Sequence, residues 1–331
     1  MTFPLSSVNE RTFSPGWSGE VFVCDIDRTY LYTRFSSLQG LAQIPFEFAI
    51  DKRDIEGMAP LLREIRRGPG HESRHTPLYF ISASPAQLRP VIQRKMLLDG
   101  LEFDGTVFKD WLGVLASFRL RRLKEQLGFK LTALLLHRAE LPEGAHEVLI
   151  GDDMESDALT FTLFADAVAR RIPDDRLLQV LLHHGVGLED ARAICELRSD
   201  LPATDAVKRA YIRMERHASP DAFREYWPHV AICLGAFQMA LCLWHEGSIS
   251  HEGVERVAAD LLSHGHAPTD LADRLVDACR RGLLAREAGL RLREQLGPDI
   301  LPEGAPLPEV APEWVVPQGH GRWTPARLWP Q

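Results

Sequence analysis

Cysteine is sparse in this sequence, and no two cysteines form a C-x-x-C pair. Five cysteines in 331 residues, an odd number and far apart, predict neither a disulfide framework nor a zinc site. Positive charge is not in excess either, since 38 Lys and Arg stand against 46 Asp and Glu, for a net charge of −8. That balance argues against general nucleic-acid binding, so an anionic ligand must be met by a local basic site.

Long apolar runs are missing as well. The longest, 230–244, is interrupted by Gln238 and is shorter than the ~18 residues of a membrane-spanning helix, so we interpret it as a buried helix. The first residues show no basic segment followed by an apolar one, and no secretory signal is expected. These observations favour a cytoplasmic protein. With 45% hydrophobic and 25% charged residues, the chain is predicted to be folded and globular.

From 19 to 171, short apolar runs alternate with helical patterns. This alternation predicts an α/β domain in which a parallel sheet is flanked by helices. The runs are nearly continuous in apolar residues, as strands covered on both faces must be. Strands are predicted at 20–25, 78–82, 101–108 and 147–151, and helices at 55–67 and 85–98.

After residue 171 the strand signals fade and amphipathic segments take over. They predict a mainly α-helical domain over 172–296, with helices at 203–217, 228–245, 251–264 and 268–281. Residues 1–18 are interpreted as an N-terminal extension. Residues 297–331 form a tail rich in Pro and Trp, which we expect to dock through its aromatic side chains, Trp314, Trp323 and Trp329.

Two carboxylates follow the first predicted strand, in the string Asp25-Ile26-Asp27-Arg28-Thr29. In α/β proteins such strand ends carry the functional sites. Phosphoryl transfer through an aspartyl phosphate needs one carboxylate as nucleophile and a second group that protonates the leaving oxygen and then activates water. Asp25 and Asp27 suit these two roles, although acidic pairs also occur on solvated loops.

A second acidic cluster follows the last predicted strand, in the string GDDMESD over 151–157. Mg²⁺ takes oxygen ligands and commonly uses one or two carboxylates together with a substrate phosphate. Asp25 and Asp152 can form that pair, and the metal would offset the repulsion between carboxylates and a phosphate dianion. Asp153 and Glu155 could equally belong to a solvated loop, and a contribution of Asp153 to the metal site is left open.

Ser82 and Lys130 are candidates for the polar and cationic groups that this chemistry also needs. Ser82 lies in the turn Ser82-Ala83-Ser84-Pro85, where a predicted helix N-terminus can receive an anion. Ser82 would donate to a phosphate oxygen, with Ala83 beside it as a further substrate-binding residue; helix capping by Ser82 or Ser84 is the alternative. Lys130, with Lys124 as the fallback, would neutralise the nucleophile and the phosphoryl oxygens.

The ordered set DIDRT, ISAS, Lys130 and GDDMESD resembles the four motifs of the haloacid dehalogenase-like phosphohydrolases. Within that superfamily, three strings are similar to the phosphatidate phosphatase catalytic domain of the actin-patch protein type. They are FISASPAQL (80–88), FKDW (108–111) and VLIGD (148–152). The resemblance covers about 19–169 and implies a Rossmann-like α/β fold with a parallel sheet.

The resemblance implies a role for each motif residue. It implies that Asp25 is the nucleophile and Asp27 the general acid/base. It also implies that Ser82 binds the phosphate and that Lys130 stabilises the negative charge. It implies that Mg²⁺ is held by Asp25, the Asp27 carbonyl and Asp152, with Asp157 as the second acid of the metal loop. Arg28 stands where the relatives usually carry an acid, and GDDM replaces their usual G-D-S-G. Arg28 changes the charge beside the site and is a candidate substrate-binding residue.

The sequence therefore predicts a Mg²⁺-dependent phosphatase for a phosphomonoester, and the closer resemblance implies phosphatidate or another lipid phosphate as substrate. Two alternatives stay open. One is the same chemistry on a soluble or nucleic-acid phosphomonoester; the other is a non-catalytic protein whose helical region binds an unknown partner. Arginines could form a basic rim for an anionic substrate or a peripheral membrane contact, or could be solvated helix faces: Arg63, Arg66, Arg67, Arg74, Arg119, Arg121 and Arg122.

Overall fold

A computed structural model of the protein describes residues 4–32, 54–110, 126–154, 156–215 and 219–316. Within these ranges, seven strands form one sheet in the order β1-β4-β3-β2-β5-β6-β7. The strands are β1 (Leu5–Asn9), β2 (Ser18–Asp25), β3 (Leu78–Pro85), β4 (Gly105–Lys109), β5 (Gly144–Asp152), β6 (Val207–Arg213) and β7 (Val230–Cys233). Neighbouring strands run parallel except β1, which pairs antiparallel with β4.

Helices cover both faces of this sheet. In the described ranges they are α1 (Met58–Arg67), α2 (Arg89–Leu98), α3 (Leu127–Glu140), α4 (Asp157–Val168), α5 (Asp174–His183), α6 (Leu188–Asp200), α7 (Ala236–His245), α8 (His251–Ser263), α9 (Pro268–Arg280) and α10 (Arg286–Leu296). Helices α3 to α6 pack on one face, and α1, α2 and α7 to α10 pack on the other. The predicted α/β fold, with a helical C-terminal region after it, is confirmed.

Strand β2 shows why the central strands are continuous in apolar residues. Val21 and Val23 contact the layer of α3 to α6, whereas Phe22 and Cys24 contact the opposite layer. Successive side chains of a strand point to opposite faces, so a strand covered on both sides needs an apolar residue at each position. Three predicted strands are confirmed with somewhat longer bounds, as β2, β3 and β5, while the fourth begins only at Gly105.

Two strands lie in the region predicted to be helical. The predicted helix at 203–217 is wrong, because its apolar residues belong to β6, and in 228–245 the helix begins only after β7. Both strands extend the same sheet, β6 beside β5 and β7 beside β6. Short apolar runs fit a buried strand as well as a buried helix, and periodicity alone does not separate them. The division into 1–18, 19–171, 172–296 and 297–331 stays a prediction, although the sheet continues past residue 171.

The strand order reverses beside β2. From β2 the chain passes to β3 and β4 on one side, whereas β5, β6 and β7 extend the other side. In open α/β sheets, ligands bind at such a switch point, outside the carboxyl ends of the strands. Strands β2 and β5 pair directly and end in Asp25 and Asp152. The topology therefore brings the two predicted acidic clusters together.

The tail packs through Trp314, as predicted. The Trp314 side chain is buried and lies edge-on to Trp227, with 5.9 Å between ring centroids. The Trp227 indole N–H donates to the Trp314 carbonyl at 2.9 Å. Trp323 and Trp329 lie outside the described residues. In the part of the chain that is described, no helix has the combined length and apolar character needed to cross a membrane.

Candidate active site

Asp25, Asp152 and Asp157 form a buried acidic cluster at the switch point. Each offers a carboxylate oxygen, and these oxygens lie within 4.8 Å of one another. Asp25 and Asp152 end their strands, and Asp157 begins α4. The hydroxyl oxygen of Thr29 lies 3.4 Å from Asp25 Oδ2 and 3.4 Å from Asp152 Oδ2. Carboxylates from two separate sequence motifs, DIDRT and GDDMESD, thus meet at one point.

Asp157 reaches the end of β5 because residue 151 is glycine. The Asp157 carboxylate accepts the backbone N–H of Asp152 at 3.2 Å. A Cβ atom on Gly151 would lie 2.7 Å from the Cβ of Asp157, closer than such atoms approach in real proteins. Only glycine permits this approach of backbone to side chain.

Lys130 supplies positive charge to the cluster from the first turn of α3. It is 1% exposed, and its Nζ lies 2.9 Å from Asp25 Oδ1 and forms a second, shorter ion pair with Asp157. One ammonium facing three carboxylates leaves an excess of negative charge. The thiol of Cys24 responds to that field: burial raises the pKa of Cys24 well above its usual value, Asp25 and Asp157 raise it further, and Lys130 opposes them.

The donor set fits a hard divalent cation. Carboxylate oxygens are the ligands that Mg²⁺ and similar cations prefer. Buried carboxylates also need compensating positive charge, and among the described contacts Lys130 forms ion pairs with two of the three, Asp25 and Asp157. The cluster could therefore hold a metal ion, whose identity these donors do not specify.

The side chain of Asp27 is held by the end of β3. Ser82 donates its hydroxyl to Asp27 Oδ2 at 2.6 Å, and Ser84 donates to Oδ1 at 2.7 Å. Residues two apart on a strand face the same side, and β3 continues through Pro85, so both hydroxyls reach one carboxylate. From the sequence, Ser84 was predicted only as a possible helix cap. The alternation Ser82-Ala83-Ser84 could have indicated that both hydroxyls bind the same carboxylate.

The helix predicted from residue 85 begins later. A short 3-10 turn, Ala86–Leu88, follows β3, and α2 starts at Arg89. Ser82 is consequently a strand residue, and its hydroxyl also accepts the backbone N–H of Ser84 at 3.0 Å. The structure brings Ser82 and Lys130 to the same edge of the sheet as the acidic cluster, whereas the helix N-terminus expected at Pro85 is absent among the described residues.

The loop after Asp27 is also held from the side of β6. Arg28 has a left-handed backbone, with φ of 62°, which costs a residue other than glycine about 1–2 kcal/mol. The Arg28 carbonyl accepts from Nε of Arg213 at 3.1 Å and also from Nη2 of Arg213. The Arg28 guanidinium pairs with Glu215 at 3.0 Å. Sequence analysis missed Arg213 and Glu215 because it interpreted their segment as a helix.

Asp153 is bound to the same segment. Its Oδ1 accepts the backbone N–H of Glu215 at 2.7 Å, and its side chain is buried. Asp153 is thus a buried, hydrogen-bonded residue, and the alternative of a solvated loop does not hold for it. Glu155 lies outside the described residues.

The arginines of α1 are directed to the opposite end of the sheet. Arg66 pairs with Asp104 at 2.6 Å, and Asp104 directly precedes β4. Arg63 donates to the carbonyl of Asp99, just after the last residue of α2. Arg63 is exposed, as the alternative of a solvated helix face expects, whereas Arg66 is largely buried in its ion pair with Asp104. The fallback Lys124 and three members of the proposed rim lie outside the described residues: Arg119, Arg121 and Arg122.

Residues 21–175 match the family model described as the catalytic domain of the phosphatidate phosphatase APP1. A search of curated proteins and a search of solved structures each return no match. The matched segment contains the acidic cluster, Ser82 and Lys130, and it ends before β6 begins. The resemblance seen in the motifs is thereby confirmed. Residues 21–175 are thus similar to a phosphatidate phosphatase catalytic domain of the APP1 type, and this match implies that the chain is a phosphoric monoester hydrolase.

Proposed function

We propose that this chain is a Mg²⁺-dependent phosphatase that hydrolyses phosphatidate or another lipid phosphate through a phosphorylated Asp25. The observation that carries the proposal is the setting of Asp25. It ends the central strand at the switch point, buried, with Lys130 at one oxygen and Thr29 near the other. The family match supplies the lipid phosphate as the substrate class.

In the first step, a carboxylate oxygen of Asp25 attacks phosphorus, and the bond from phosphorus to the ester oxygen breaks. The Asp27 carboxyl donates its proton to the leaving alcohol. Lys130 stabilises the negative charge that develops on the phosphoryl oxygens. In the second step, Asp27 takes a proton from water, the water oxygen attacks phosphorus, and the bond from phosphorus to Asp25 breaks. Inorganic phosphate leaves and both carboxyl groups return to their starting states.

Ser82 and Ser84 orient Asp27 for both steps. Ser82 has a single hydroxyl proton, which it donates to Asp27 in the structure. When substrate is bound, the Ser82 hydroxyl can turn its proton to a phosphoryl oxygen while Ser84 continues to orient Asp27, whose own acid proton stays available for the leaving alcohol. Ser82 thus acts as a phosphate ligand while Asp27 is in its acid form. Ala83 and the partly exposed Arg28 complete the proposed substrate contacts.

The proposed metal ligands are the carboxylates of Asp25 and Asp152 and the carbonyl of Asp27, with Asp157 behind them. When bound there, Mg²⁺ would offset the repulsion between these carboxylates and the phosphate dianion. Asp157 contacts Lys130 and the Asp152 backbone, which supports a role in holding both in place.

Phosphate release from a substrate panel tests the proposal. The panel contains phosphatidate vesicles, nucleotides, sugar phosphates and an aryl phosphate, each with Mg²⁺ and with a chelator. Asp25→Asn should abolish turnover, whereas Asp205→Asn should retain it, because Asp205 is exposed and its side chain pairs with Arg171, away from the acidic cluster. Preference for a soluble ester would favour the alternative substrate class. Absence of turnover on every ester would favour the binding-protein alternative.

Two further readouts separate the chemistry from the metal. Acid-quenched single turnovers with labelled substrate should yield a hydroxylamine-sensitive phosphoenzyme in the wild type and none in Asp25→Asn. Mg²⁺ should raise the melting temperature of the wild type, and Asp152→Asn should remove that shift. A shift that persists in Asp152→Asn would place the ion elsewhere.

A further inference from the structure

The segment 213–215 lies outside the family match and yet contacts both acid-bearing loops. We call residues 25–31 the nucleophile loop and residues 152–157 the acidic loop. Arg213 donates to the Arg28 carbonyl in the nucleophile loop. The backbone N–H of Glu215 donates to Asp153 in the acidic loop, and the backbone N–H of Asp153 donates to the Arg213 carbonyl at 3.1 Å. One short segment therefore joins the two loops.

We propose that Arg213 and Glu215 are positioning residues of the phosphatase reaction, which hold the nucleophile loop against the acidic loop. The inference rests on the proposed function. Both residues act through Arg28 and Asp153, and among the described contacts neither touches the reacting carboxylates. Their contribution to catalysis is to keep Asp25 and Asp152 at their mutual distance while charge moves at phosphorus.

The geometry at Arg28 explains why the loop needs such a support. A left-handed backbone is unfavourable for arginine and persists where surrounding contacts over-determine it. Two N–H groups of one guanidinium converge on the Arg28 carbonyl, and that guanidinium is almost completely buried. On its other side the loop is bound to β3, through the backbone N–H of Ile26 and the Ile81 carbonyl at 3.1 Å. The loop is thus supported from β3 and from β6.

Glu215 neutralises the two arginines of this contact. Its two carboxylate oxygens contact different guanidinium groups, Oε1 that of Arg28 at 3.0 Å and Oε2 that of Arg213 at 2.9 Å. Without this carboxylate, two positive groups would face each other next to the nucleophile loop. Arg28, which stands where the relatives usually carry an acid, therefore has its charge balanced by Glu215, two residues after the end of β6.

Three variants test the proposal: Arg213→Gln, Arg213→Lys and the matched control Arg209→Gln. Arg209 lies on the same strand and pairs with Glu246 at 2.8 Å, away from both loops. In Arg213→Gln we expect kcat to fall about 30- to 100-fold with KM changed less than about threefold, because loosened geometry weakens the reacting step more than binding. Arg213→Lys keeps the charge and one donor and should recover part of the loss. Arg209→Gln should retain kcat.

Amide hydrogen exchange supplies a readout that does not depend on turnover. Amides of the nucleophile loop should exchange faster in Arg213→Gln than in the wild type, and at the wild-type rate in Arg209→Gln. Equal kcat and equal loop exchange in Arg213→Gln and Arg209→Gln would overturn the proposal, as would a rise in KM alone. If Arg213→Gln does not fold, Arg213→Lys carries the same comparison at smaller amplitude. A wild type inactive on every ester refutes the proposed function, while the exchange rates still decide whether Arg213 holds the loop.

Discussion

The two ends of the sheet both bury ionisable groups, but they treat charge in opposite ways. At the carboxyl end, Lys130 pairs with Asp25 and Asp157, so a charged group faces charged partners. At the amino end, burial raises the pKa of Glu147 to about 7 despite the Arg138 guanidinium at 3.4 Å, and it lowers the pKa of His137 to about 3. The uncharged form is therefore favoured below about pH 7 for Glu147 and above about pH 3 for His137. The first arrangement keeps charge available for chemistry; the second suits a hydrophobic core.

Loss of the Lys130 ammonium should have the largest effect on both activity and stability. Lys130→Met removes the only ammonium that the described contacts show between Asp25 and Asp157. We expect kcat/KM to fall about 10²–10³-fold. Removal of this ammonium from buried carboxylates should also lower the unfolding free energy by about 3–5 kcal/mol.

Phosphate release and urea unfolding measure these two effects. Lys208→Met is the control, because Lys208 pairs with Glu20 and Glu246 and is partly exposed. A Lys130→Met enzyme that keeps wild-type turnover would show that the charge at this end is not used in the reaction.

Gly151→Ala should disturb the carboxyl end through sterics alone. The new methyl group would overlap the Asp157 side chain, push it from Lys130, and reduce kcat about 10²-fold, with about 1–3 kcal/mol lost from stability. Gly187→Ala is the matched control, because its φ is −64° and the nearest atom to an added Cβ lies at 3.6 Å. Steady-state kinetics measure the effect, and equal kcat values for the two variants would contradict the steric argument.

Removal of one hydroxyl should have a smaller effect. Ser84→Ala deletes one of the two side-chain hydrogen bonds to Asp27 and should lower kcat about tenfold, the upper value for a typical hydrogen bond, with KM unchanged. Ser199→Ala, which removes an exposed hydroxyl bonded to the Cys195 carbonyl, should have wild-type kinetics. An increase in KM with constant kcat would instead indicate that Ser84 binds substrate.

At the amino end, Glu147→Gln should change the pH dependence of stability and leave turnover intact. Between pH 4.5 and about 7 the unfolded chain releases the Glu147 proton while the folded chain keeps it, so the unfolding free energy falls as pH rises. The size of this loss is on the order of 3 kcal/mol, and Glu147→Gln should abolish it.

His137 acts in the opposite direction. Burial and then Arg138 lower its pKa from 6.5 to about 3, so stability is lost as pH falls from 6.5 toward 3. The two effects offset each other between pH 4.5 and 6.5 in the wild type, and Glu147→Gln should expose the His137 slope. Urea unfolding at pH 5, 6 and 7.5, with the exposed Glu143→Gln as control, measures both. Identical curves for all three proteins would refute the assignment.

The central strands and acidic residues of the site could be predicted from the sequence. A run of apolar residues followed by a carboxylate can be recognised locally in the sequence. It correctly indicated that Asp25 and Asp152 lie near each other at the carboxyl ends of their strands. The contact between Arg213 and the Arg28 carbonyl spans 185 residues, so it depends on which strand lies beside which. No local pattern reports that order, and β6 itself resembled a helix. The hydroxyl of Ser84 was missed because the strand runs further than its apolar residues.

The outermost strands of the described sheet are short, with five residues in β1 and four in β7. Short edge strands offer few unpaired backbone groups to another chain, which limits association between sheets. A fragment that stopped at residue 175, where the family match ends, would lack β6 and β7 and would leave the nine residues of β5 as an open edge. The end of the family match is therefore not a suitable end for a soluble fragment, and fragments that stop there are expected to aggregate.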